Sequence, residues 1–103
     1  MEEAGARDLD ERVDEIRRKI MPVLQRHGVR RAALFGSFVR GEDRKDSDID
    51  ILVEVGKDIS LLDFIGLKQE LEDALGRPVD LVEYGTIKPL LRDRILAEQV
   101  VLT

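Results

Sequence analysis

The sequence predicts an α/β or α+β domain on three observations: a helical stripe from Leu9 to Leu24, an alternating run from Asp48 to Val55, and a second capped helix that leads into the short apolar segment PVDLV. Helix-period and strand-period segments succeed one another with no repeat, no low-complexity tract and no linker long enough to divide the chain. With 103 residues, 43% of them hydrophobic, residues 1–103 are expected to form a single domain near the lower size limit for a useful core.

In the first segment Leu9, Val13, Ile16, Ile20 and Val23/Leu24 recur every three or four residues, the pattern of one buried helix face, and His27-Gly28 ends it. Ala32 to Phe35 suits a short buried strand. Between Asp48 and Val55, Ile49, Ile51, Val53 and Val55 share one face of a strand and Asp48, Asp50, Leu52 and Glu54 the other, so the odd face is the expected core face. Ser60 and Asp63 suit a capping box for a helix running to Leu75, with Gly76 just past its end. PVDLV reads as a third strand, with Pro78 tolerable at its start. Thr86 is the expected cap of a last helix carrying Ile87, Leu90, Leu91, Ile95 and Leu96, with Pro89 in its first turn, and VVL as a brief final strand. The apolar stripes of the first and last helices exceed what so small a sheet covers, which predicts a partner protein or a second copy of the chain.

Composition narrows the function classes. The chain has no cysteine, which removes disulfides, thiolate metal sites and cysteine nucleophiles. Its apolar runs fall well short of the roughly 18 residues of a membrane span, and the acidic start MEEAGARDLDE lacks the basic region of a signal peptide, so no membrane association and a cytoplasmic location are expected. Lys+Arg 17 against Asp+Glu 22 leaves a net charge of -5, which disfavours direct nucleic-acid binding. A small anionic ligand can still bind where local donors or a cation offset the global field.

Asp48 and Asp50 are the first candidate site residues. Side chains two apart on a strand point the same way about 6.6 Å apart. At an effective dielectric near 20, two charges at that distance repel by roughly 2 to 3 kcal/mol. A solvated strand end would let them splay apart; a divalent cation would offset the repulsion, and Mg²⁺ takes one or two carboxylates together with substrate phosphates. An EF-hand loop starting at Asp46 is excluded, because it needs Gly at 51 and Glu at 57, where the chain has Ile51 and Lys57.

Upstream, Gly36-Ser37 follows a strand and opens the turn SFVRG, closed by Gly41. Glycine lets the backbone approach an anion, and serine at a helix start offers a hydroxyl and free N–H groups, although an ordinary junction with Ser37 as N-cap explains the pair as well. No GKS or GKT follows, so it is not a Walker A loop. Asp80, the one polar residue within PVDLV, leaves the face used by Val79 and Leu81 and would join Asp48 and Asp50 if the two strands were neighbours; otherwise it is an edge-strand charge that discourages sheet pairing.

GSFVRGEDRKDSDID, which is Gly-Ser, ten residues, then Asp-x-Asp, resembles the signature of the polymerase-beta-type nucleotidyltransferase superfamily. Within it the chain is most similar, over nearly its whole length, to the minimal nucleotidyltransferases of archaea and bacteria, often paired with a helical HEPN ribonuclease-like partner. The resemblance implies a small mixed β-sheet backed by helices. It also implies Gly36 and Ser37 as the nucleotide-phosphate corner, Asp48 and Asp50 as metal ligands, and Asp80 as the third carboxylate, which joins the metal cluster and helps activate the attacking hydroxyl. Arg40, Arg44 and Lys45 on the connecting turn are candidates for neutralising a nucleoside triphosphate, with a charged surface loop as the plainer alternative for each. The implied chemistry is transfer of a nucleoside monophosphate to a hydroxyl with release of pyrophosphate, assisted by Mg²⁺, with two ions expected. For the paired systems the resemblance implies an antitoxin that moves AMP from ATP to a tyrosine of its HEPN-type toxin. The alternatives are a non-catalytic antitoxin that silences the toxin by occlusion, or an enzyme acting on a small molecule or an RNA end.

Overall fold

The computed structural model describes residues 8–56 and 59–103; the first seven residues of the acidic start lie outside them. Helix α1 spans Leu9–Arg26, strand β1 Arg31–Phe35, the one-turn helix α2 Ser37–Arg40, β2 Ile49–Glu54, α3 Leu61–Leu75 and β3 Val79–Glu83. A 3-10 turn at Tyr84–Thr86 leads into α4, Pro89–Glu98, and the short strand β4, Val100–Val101. The strands form one mixed sheet in the order β3-β2-β1-β4, with β1 antiparallel to β2 and β4, and β2 parallel to β3. This is the small mixed sheet with helices that the resemblance implied.

Local chemistry explains most element ends. The Asp8 carboxylate accepts the Glu11 N–H at 2.9 Å and caps α1, and Ser60 Oγ accepts the Asp63 N–H at 3.0 Å to cap α3. Gly76 ends α3 with φ 68°, a left-handed conformation that costs glycine little. The last helix departs from expectation. Its cap is Lys88 with no side-chain bond; Thr86 instead closes the 3-10 turn by donating its hydroxyl to the Glu83 carbonyl at 2.9 Å, and Ile87 precedes the helix. Pro89 does open α4, where its missing N–H is not needed.

Helices α1 and α3 cover one face of the sheet. Val13, Ile16, Ile20, Val23 and Leu24 of α1 are buried with Leu67, Leu71 and Leu75 of α3 against Leu34, Ile49, Ile51 and Val53. The α1 stripe is therefore core, not a spare partner face. The opposite face also carries apolar packing: Leu52, expected on the uncovered side, is fully buried in a second cluster with Ala33, Tyr84 and Ile87, flanked by Phe35, Val82, Ile95 and Leu96. Helix α4 does keep apolar surface, with Leu90 96% exposed and Leu91 half-exposed, and the start of α3 exposes Leu61 and Leu62. Among the described residues no helix is long and apolar enough to cross a membrane.

Candidate active site

Phe35, Asp50 and Asp80 stand side by side across three strands: Phe35 pairs with Asp50 between β1 and β2, and Asp50 with Asp80 between β2 and β3. Paired positions of neighbouring strands project to the same face. That face is the one with the smaller apolar cluster, so the carboxylates continue the line of Leu52 and Val82 beyond the end of the packed region. Asp48 lies just before β2 and is exposed, as is Asp80, whereas Asp50 is half-buried.

The electrostatics of Asp50 record this crowding. Burial pushes its carboxyl up to about 6; the neighbouring Asp80, through its charge and a side-chain hydrogen bond, and then Asp48 push the same way, while Arg40 opposes them. Asp48 and Asp80 thus both act on Asp50 at one strand end. The three are not a preformed ligand cage: among the described residues no group of three or more His, Cys, Asp or Glu side chains is arranged to hold a metal ion. The donor chemistry nevertheless fits Mg²⁺. All the donors are hard carboxylate oxygens with excess negative charge, and this ion characteristically takes one or two carboxylates and completes its shell with water and substrate phosphate.

Gly36 sits against Asp50. It leaves β1 with φ 76° and ψ -152° and is itself the cap of α2, so that Ser37 is the first helical residue and not the N-cap. A Cβ built at position 36 would lie 1.9 Å from Asp50 Oδ2, so glycine is required there by contact as well as by backbone angle. The Gly36 N–H donates to Glu98 Oε1 at 2.8 Å, and Arg40 Nη1 donates to Glu98 Oε2 at 2.8 Å, while Arg40 Nε donates to Glu42. Arg40 therefore stands at the corner. Arg44 and Lys45 lie on the exposed loop that follows, where the Arg44 backbone is engaged: its N–H donates to Ser47 Oγ and its carbonyl accepts from Arg77.

Two supports of the site carry no sequence signal. Glu98 lies 62 positions from Gly36 and reads as an ordinary helix charge. Asp43, whose side chain is 4% exposed, accepts from Arg12 at 2.7 Å and from Arg77 at 3.2 Å, and Arg77 also holds the Ser47 carbonyl, bracing the loop that delivers Asp48. Burial alone would push the Asp43 carboxyl up, but the Arg12 and Arg77 hydrogen bonds outweigh it and hold it below the ordinary carboxylate range. Two concavities, of about 880 and 360 Å³, lie at the other end of β2 around Val55, Ile59 and Glu83, away from the carboxylates. The charged strand end is the better candidate, because its chemistry and not its depth is distinctive.

The Gly36-Ser37 turn thus meets the Asp48-x-Asp50 strand at one end of a mixed sheet. Residues 18–103 match the family described as "Polymerase beta, Nucleotidyltransferase", and the chain belongs to that family. It is 57% identical over 88 residues to a Methanocaldococcus jannaschii protein named "Putative protein adenylyltransferase", covering 85% of this chain and 95% of that one. It is 47% identical over 76 residues to the "Protein adenylyltransferase MntA" of Thermococcus cleftensis, covering 74% and 77%. A solved complex of tri-AMPylated Shewanella oneidensis HEPN toxin with MNT antitoxin contains a similar chain, at TM-score 0.68 and 25% identity over 88% of this chain and 71% of that one.

Proposed function

We propose that this nucleotidyltransferase, working as a single domain over residues 1–103, transfers AMP from ATP to a tyrosine hydroxyl of a HEPN-type toxin and acts as its antitoxin. The observation that carries the chemistry is the pairing of Asp50 with Asp80 on adjacent strands beside the Gly36 turn. The names of the relatives support an adenylyl group as cargo, and the AMPylated toxin in the similar complex supports a protein acceptor. The same comparison supports a HEPN partner, and the exposed Leu90 and Leu91 leave apolar surface for a protein contact.

In this reading the backbone N–H groups of the Gly36 turn and the Ser37 hydroxyl receive the triphosphate, with Arg40 offsetting part of its charge. Asp48 and Asp50, with Asp80, would hold Mg²⁺, which when bound screens phosphate charge and lowers the pKa of the acceptor hydroxyl. Asp80, exposed at the edge strand, orients that hydroxyl and takes its proton. The tyrosine oxygen forms a bond to the α-phosphorus, the bond from that phosphorus to the bridging oxygen breaks, and pyrophosphate leaves.

Intact-mass spectrometry tests the reading. Incubation of the chain with Mg²⁺, ATP and a HEPN-type toxin partner should raise the toxin mass by about 329 Da per transferred AMP, the product expected from phosphoryl transfer with loss of pyrophosphate. It should also suppress the toxin's nuclease activity. Silencing with no mass change, equally strong with Asp50→Asn, would replace the enzyme by an occluding antitoxin.

A further inference from the structure

We propose that Glu98 is a displaceable carboxylate that occupies the phosphate-corner donors of the free protein and thereby sets the affinity of that corner for a triphosphate. The inference rests on the assignment of the Gly36–Ser37 turn to the nucleotide phosphates. Glu98 is the last residue of α4, and each of its oxygens takes one donor: Oε1 the Gly36 N–H and Oε2 the Arg40 guanidinium, both at 2.8 Å. A backbone N–H and a guanidinium converging on two oxygens of one anion is the arrangement a phosphate group requires. Glu98 is thus an internal anion seated where the external one is proposed to sit.

The charge balance makes coexistence unfavourable. Asp50 already bears the repulsion of Asp80 and Asp48, relieved in part by Arg40, and Arg40 is divided between Glu98 and Glu42. A polyanion entering the corner must share Gly36 and Arg40 with a carboxylate of the same sign or displace it. Displacement needs only rotation of the Glu98 side chain. The chain just beyond it is anchored elsewhere, by the Tyr84 hydroxyl, which donates to Gln99 Oε1 at 2.6 Å, and by the pairing of β4 with β1. The Glu98 side chain is 20% exposed, enough to open toward solvent.

Titration calorimetry of inorganic tripolyphosphate with Mg²⁺, joined to backbone-amide NMR to locate the contact, tests this on wild type, Glu98→Ala and Glu98→Gln. Both variants should bind roughly five- to tenfold more tightly, since a competing charge is removed from the donors. In the wild type the titration should shift the amides from Gly36 to Gly41. Unchanged or weaker binding in the variants overturns the inference and makes Glu98 a support for the turn. Should Glu98→Ala fail to fold or the two differ, Glu98→Gln decides, because it keeps the side-chain shape. If tripolyphosphate shifts no amide of that turn in any of the three proteins, the phosphate-corner assignment fails and the gate falls with it. If the amides shift and the affinities match, the gate alone fails.

Discussion

Gly36 and Asp50 touch so closely that a single methyl group at position 36 would overlap Asp50 Oδ2, 1.9 Å away. The turn proposed to meet phosphate and the carboxylate proposed to meet metal therefore lie against each other, with no room for a side chain between them.

Gly36→Ala follows from that contact. The substitution meets both a left-handed φ of 76° and the carboxylate, so the folded state should lose about 1 to 3 kcal/mol. AMP transfer should fall at least tenfold at temperatures where the variant remains folded. Urea denaturation and intact-mass kinetics on one preparation check both effects; a variant with wild-type transfer rates would dissolve the proposed link.

Asp48→Asn with Asp50→Asn keeps side-chain volume and removes two of the carboxylates that act on this strand end. Divalent-cation-dependent ATP binding should weaken at least tenfold, because a neutral amide is a much poorer ligand for Mg²⁺. Calorimetric titrations with Mg²⁺ and with EDTA make the comparison, and equal, metal-independent affinity in both proteins would count against the metal site.

Asp43→Ala should destabilise the fold by about 2 to 4 kcal/mol, because it leaves Arg12 and Arg77 without their shared, nearly buried partner. The pH dependence has a definite sign. The folded carboxyl is held below its ordinary value, so its stabilisation is complete above the unfolded pKa, near 3.8, and is lost as pH falls through the lower folded value. Denaturation curves from neutral pH to pH 3 should show wild type losing its advantage over Asp43→Asn in that acid range.

Ser60→Ala removes the Oγ acceptor of the Asp63 N–H at the start of α3, at the other end of β2 from the candidate site. It should cost about 1 kcal/mol of stability and leave AMP transfer unchanged. Thermal denaturation and the mass assay separate the two; reduced transfer in a fully folded variant would mean that the start of α3 takes part in acceptor docking.

Much of the fold and the core of the candidate site were legible because they rest on short-range rules. The spacing of Val13, Ile16, Ile20 and Leu24 defines a helix face, Ser60 and Gly76 mark two ends of a helix, and alternation from Ile49 to Val53 sets which way Asp50 points. Each of these depends on neighbours within about four residues. The Gly-Ser to Asp-x-Asp spacing was legible for the same reason, since one turn and one strand carry it.

Other features depended on the tertiary structure, because their partners are remote and local pattern leaves the pairing open. The parallel register that brings Asp80 beside Asp50 is set by the crossover through α3. Burial of Leu52 needed Tyr84 and Ile87 to fold over the second face, which the alternation of β2 alone assigned to solvent. The same return of the chain left Thr86 in a 3-10 turn and not at a helix cap, because satisfying the Glu83 carbonyl took its hydroxyl. The brace of Asp43 by Arg12 and Arg77, and the closure of Glu98 on Gly36, join residues whose charges could as well have faced water. Which charges are drawn out of solvent is decided by the packed chain as a whole, since a carboxylate gains from burial only where the fold supplies its donors.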